Sequence, residues 1–107
     1  MNLPLKAEEI GISIEAYKNL CSLFLKTTKN DLQALFRALE AEDREEIAAH
    51  AHHIKGAASN MEFKSLMEET EKLNNAAADA PLEELHGYAE QINKLFTEIE
   101  TELGESE

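Results

Sequence analysis

Valine is absent from this chain, and proline, glycine and cysteine number only 2, 4 and 1. So few helix breakers, set against abundant Ala, Glu, Leu and Lys, argue against a sheet protein and for an all-helical domain. The lone cysteine, Cys21, excludes an internal disulfide and fits a reducing, cytoplasmic setting. It falls on an apolar stripe and reads as core filling. Basic residues are outnumbered 22 to 10, for a net charge of −12. Duplex nucleic acid and anionic membranes would repel such a surface, so neither is expected as a partner. No apolar run approaches the ~20 residues needed to cross a bilayer. The N-terminus has no signal-peptide pattern. With 107 residues, the chain is expected to form one domain. Met1 and the acidic tail suit a free-standing, soluble, cytoplasmic protein.

Pro4 and Gly11 bracket a short helix over about residues 5–10. Ser13 is the expected N-cap of a helix over about 14–41, where Ile14, Tyr17, Cys21, Phe24 and Leu25 recur at helical spacing. Thr27-Thr28-Lys29-Asn30 weakens that pattern, so a kink near residue 28 or a break into two collinear helices is allowed. The apolar phase runs on through Thr28 to Leu32, Leu35, Phe36 and Leu39, which favours continuity. Asp43 followed by Glu46 resembles a capping box for a helix over 43–61 that buries Ile47, Ala51, Ile54, Ala58 and Met61. Further helices are expected over 63–77 and 82–103, separated by Asp79-Ala80-Pro81, with Gly104 to Glu107 fraying. Alternating spacings of 3 and 4 with short connections specify an antiparallel, up-down four-helix bundle, preceded by the short extra helix. A monomer is the default state of such a bundle.

One stretch departs from ordinary helix: Ala51-His52-His53-Ile54-Lys55-Gly56-Ala57-Ala58-Ser59-Asn60-Met61. A glycine inside a helix costs roughly 1 kcal/mol relative to alanine. At 100° per residue, His52 points roughly 140° away from the core arc of its helix. Gly56 and Ser59 share its stripe, Ala49 lies one turn before it, and Ala48 and Lys55 border it. An exposed stripe on so charged a protein would ordinarily carry Glu, Lys or Gln. Small residues around an exposed imidazole instead let another protein bring a reacting atom against the ring. Lys55 supplies positive charge for an anion arriving there. Imidazole is a good nucleophile and largely neutral at pH 7. Phosphoryl transfer proceeds through a loose, charge-spread transition state, so positioning and nearby cations suffice for it.

His52-His53-Ile54-Lys55-Gly56 resembles the His-x-x-Lys-Gly signature of histidine-containing phosphotransfer (HPt) domains. The likeness continues through Ala57 to Met61, and the helical pattern is similar along essentially the whole chain. The resemblance implies a phosphorelay intermediate without an ATP site, a phosphocarrier and not an enzyme. It would take a phosphoryl group on His52 from a receiver-domain aspartate, or from a hybrid or sensor histidine kinase, and pass it to a response regulator. Lys55 would steady the phosphoryl charge. Gly56, with Ser59, Ala49 and Ala48, would let the receiver dock closely. No cofactor is implied, since the magnesium of such transfers sits in the partner receiver. The family usually has a glycine ten residues after the phosphorylated histidine; this chain has Glu62. The family also often places a glutamine or a base on the following helix near the site. Between Phe63 and Ala77 there are only Lys64 and Lys72, with Glu68 and Glu69 as acidic candidates to approach His52.

Two other readings stand beside this one. A bundle of the same kind could bind a receiver without passing phosphate, although His52 and Lys55 are both present. A metal-binding bundle is a third possibility. Glu46, His50 and His53 share one stripe, and Glu83 and His86 form one Glu-x-x-His. A di-metal carboxylate bundle needs two such motifs, so no metal site is expected. His50 reads as a partly buried packing residue and His53 as a rim residue.

Overall fold

The computed structural model describes residues 3–105, and side-chain surroundings for residues 6–104. Five helices make up the fold: α1 (Leu3–Ile10), α2 (Ile14–Glu40), α3 (Arg44–Asn60), α4 (Lys64–Ala76) and α5 (Leu82–Glu105). No strand occurs among the described residues. Contacts run from α2 to α3, α3 to α4, α4 to α5 and α5 back to α2, closing a ring, while α1 lies on α2. The molecule measures 42 × 19 × 16 Å. Its long dimension matches α2, whose 27 residues rise ~1.5 Å each.

Helix α2 is continuous through the Thr27–Asn30 stretch. The β-branched threonines each cost only a few tenths of a kcal/mol of helix propensity, and Thr28 is buried in phase with the core. The core runs the length of the ring. Tyr17, Leu35, Ile54, Leu66, Leu73 and Ile92 are among its fully enclosed side chains. Phe24 meets Phe63 edge-on with ring centroids 5.1 Å apart, tying α2 to the start of α4. Cys21 is buried, as its stripe requires. Ile14 is not part of the core: 38% of its surface is exposed, because it occupies the first turn of α2.

The helix ends account for the remaining differences from the expected boundaries. Helix α1 starts at Leu3, with Pro4 in its first turn, where the missing N–H would have no intrahelical partner anyway. Ser13 accepts a hydrogen bond from the Ala16 N–H at 3.1 Å, and Asp43 accepts one from the Glu46 N–H at 3.2 Å. The reciprocal half of the capping box does not form. The Asp43 N–H donates to the Ala38 carbonyl, and the Glu46 carboxylate reaches His50 instead. Ala41, Met61 and Ala77 are C-caps and not helical residues. Helix α5 continues through Gly104 to Glu105, and the last two residues of the expected frayed tail lie outside the described residues.

Helices α1, α2 and α3 all end in the same way. The N–H two residues beyond the C-cap bonds back five residues, from Ile12 to Ala7, Asp43 to Ala38 and Phe63 to Ala58 (3.0, 3.0 and 2.9 Å). This closure needs a left-handed residue just after the C-cap. At Gly11 that residue is glycine (φ 87°), but at the other two ends it is a glutamate, Glu42 (φ 56°) and Glu62 (φ 57°). Glu62 is where the HPt resemblance lapses, and it occupies a backbone conformation for which glycine is the favoured residue. The departure therefore concerns the end of α3 and leaves the histidine's own turn intact.

Candidate functional site

Helix α3 presents the candidate residues because its other face is fixed in the core. Ile47, Ala51, Ile54 and Ala58 are completely buried. This leaves the opposite stripe of Ala49, His52, Gly56 and Ser59 exposed to solvent. Ala48 is half-buried against the core. His52 takes part in none of the ion pairs among the described residues, whereas His50 and His53 both do.

Gly56 sits inside the helix with no partner of its own fold. A Cβ built there meets nothing within 4 Å. Intramolecular packing therefore does not require glycine, and alanine would give a more stable helix by roughly 1 kcal/mol. Gly87 and Gly104 are equally open, so openness alone does not mark a site. The distinction of Gly56 is its place one turn beyond an exposed histidine and next to a lysine.

Lys55 lies on the α4 side of the stripe, half-buried, with Nζ 3.7 Å from Glu71 Oε1. From α4, then, it is the Glu71 carboxylate that pairs with Lys55. Glu69 is engaged by Lys72 at 2.9 Å, and this contact raises the Lys72 pKa, first through the hydrogen bond and then through the charge. Lys64 lines a groove beside the α3–α4 turn, with Glu62, Phe63 and Glu98. The Lys55–Glu71 pair is partly exposed and worth at most about 1 kcal/mol. An incoming phosphoryl oxygen can therefore displace Glu71 from the ammonium group at small cost.

Residues that periodicity left unassigned appear on the α2 flank. Leu20 and Leu23 are 41% and 58% exposed. With Phe24, Thr27, Ala57, Asn60 and Met61 they line a shallow cavity of about 160 Å³ beside the C-terminal half of α3. Two apolar residues outside the α2 core stripe were the available sequence signal. The exposed stripe of α3 thus has an apolar shelf on one side and Lys55 on the other.

Comparison with known families matches the Hpt domain over residues 19–105, which is 87 of the 107 residues and includes the whole of α3. The chain belongs to the Hpt domain family. No curated protein and no solved structure matches it. Hpt domains are phosphocarrier modules of two-component relays, acting in histidine phosphotransfer and not as catalysts. Among the described residues, no helix is long and apolar enough to cross a membrane.

Proposed function

We propose that this protein is a phosphorelay intermediate that carries the phosphoryl group on His52. The observation that carries the reading is the exposed Gly56, one turn beyond His52, which its own fold does not need and which lowers helix stability. Such a residue makes sense where another backbone or side chain must approach. The partner is a response-regulator receiver domain, or the receiver or kinase module of a hybrid sensor kinase. Ala48, Ala49, Gly56 and Ser59 form the low floor on which it docks, and Leu20 and Leu23 add apolar contact on the α2 flank. The short links over residues 41–43 and 61–63, together with the closed ring of contacts, support an up-down, antiparallel arrangement of α2 to α5. The setting is cytoplasmic and the protein is monomeric.

In the transfer, the lone pair of a His52 ring nitrogen attacks the phosphorus of the receiver's aspartyl phosphate. The P–O bond to the carboxylate breaks, the N–P bond forms, and the ring proton passes to solvent. The transition state spreads charge over three phosphoryl oxygens. Lys55 leaves Glu71 to face that charge. Magnesium belongs to the receiver's acidic pocket, and no step requires a cofactor held by this chain.

The test is transfer from a receiver domain charged with radiolabelled acetyl phosphate. Label should move to the wild-type protein and not to a His52→Gln variant. Label that persists in the variant, or that never reaches wild type from a panel of receivers, would contradict the proposal. A receiver that binds without transferring label would establish a docking module instead.

A further inference from the structure

Asp31, His50 and His53 form a cluster that the phosphotransfer reading does not use. Asp31 comes from α2, while His50 and His53 lie one turn apart on the neighbouring side of α3. Their ligand-capable atoms all lie within 4.8 Å of one another. His50 Nδ1 is 3.6 Å and His53 Nδ1 3.8 Å from the same oxygen, Asp31 Oδ1. Neither distance is a hydrogen bond. Around a zinc ion with bonds of ~2.0–2.1 Å, tetrahedral ligands stand ~3.3–3.4 Å apart. The two distances to Asp31 Oδ1 need contract by less than about 0.5 Å to reach that spacing.

The second observation concerns His50 alone. Its Nε2 lies 3.3 Å from Glu46 Oε2, so the tautomer with its proton on Nε2 faces that carboxylate and keeps the Nδ1 lone pair for a metal. That Nδ1 is buried from solvent and has no hydrogen-bond partner. A carboxylate on one imidazole nitrogen and a metal on the other is the usual arrangement around metal-bound histidines, since it orients the ring and raises its basicity. The His53 ring stands nearly perpendicular to that of His50, at 80°, and is largely exposed. It provides the open side of the cluster.

We propose that Asp31, His50 and His53 bind one divalent late-transition-metal ion, zinc being the probe of choice. Glu46 acts as the outer partner of His50, and water completes the coordination. Two imidazoles and a carboxylate select for zinc and its neighbours over magnesium or calcium. The net charge of −12 draws any cation toward the surface. The ion would cross-link α2 to α3 on the flank next to the His52 stripe. This site is independent of the phosphotransfer reading, and either can fail without the other.

The experiment is a calorimetric titration of the chelator-treated full-length protein with zinc. The expected result is saturable binding of one zinc per chain. Asp31→Asn, His50→Gln and His53→Gln should each weaken it at least about tenfold, the low end of what loss of even an outer partner costs. His86→Gln, on α5, should bind like wild type. Circular dichroism checks that each variant is folded; Asp31 and His53 are outside the buried core, so these two read the site even if His50→Gln unfolds. No saturable binding, or binding that Asp31→Asn and His53→Gln weaken less than tenfold, would overturn the site.

Discussion

Replacing Glu62 by glycine should stabilise the protein, although it removes a side chain. Glu62 holds φ at 57° so that the Phe63 N–H can close on the Ala58 carbonyl at 2.9 Å. An L-residue pays roughly 1–2 kcal/mol for the left-handed conformation, and glycine does not. Glycine also loosens the unfolded chain, which returns about 0.4–1 kcal/mol of the gain. The carboxylate stands at the C-terminus of α3, where negative charge opposes the helix dipole, so its removal adds a few tenths of a kcal/mol. The net expectation is a gain of about 1 kcal/mol, or ~4–8 °C in Tm for a domain near this size. Urea unfolding followed by circular dichroism reads it as a higher midpoint at unchanged slope. Glu62→Ala separates the two causes, since it removes the charge but keeps the strained φ, and its gain should stay below about 0.5 kcal/mol. A Glu62→Gly variant no more stable than wild type, or a Glu62→Ala variant that matches it, would refute the backbone explanation.

Gly56→Ala should move stability and function in opposite directions. The helix gains roughly 1 kcal/mol while phosphoryl transfer from a receiver slows; unchanged transfer would remove Gly56 from the docking surface. Lys55→Ala should slow transfer without abolishing it, and Glu71→Gln should accelerate it. One unit charge about 7 Å from the phosphoryl group in water is worth about 0.6 kcal/mol, or ~3-fold in rate, and a single-turnover assay of both variants checks the signs. Burial, and then the neighbouring Cys21 thiol, push the Tyr17 pKa up to about 12. Because that value exceeds the unfolded value of 10.0, the stabilisation is complete below pH 10 and is lost as the pH rises toward 12. Urea midpoints measured across that interval should fall in wild type and fall less in Tyr17→Phe.

The parts legible in the sequence were those that a single helix decides. Ser13 and Asp43 cap because a short polar side chain can reach the N–H three residues on. His52 is exposed because Ile47, Ala51, Ile54 and Ala58 hold the other face in the core. The parts that escaped depend on how two helices are rotated against each other. Periodicity placed Lys55 beside the histidine but could not show that Glu71 comes across from α4 to pair with it. It grouped Glu46, His50 and His53 on one stripe, but Asp31, which completes the cluster, belongs to another helix. The strain at Glu62 was visible only as a missing glycine, since a backbone angle leaves no trace in apolar spacing. The exposure of Ile14 follows from its place in the first turn, where the stripe has little opposite it.

Of the four histidines in the chain, His52 alone should carry the phosphoryl group. The most direct measurement is site mapping of the protein after transfer, by tandem mass spectrometry of peptides kept at alkaline pH, because the N–P bond is acid-labile. The expected result is one phosphoryl group per chain, located on His52 and lost on mild acid treatment. A phosphoryl group on His50, His53 or His86, or an acid-stable one on a hydroxyl residue, would contradict it.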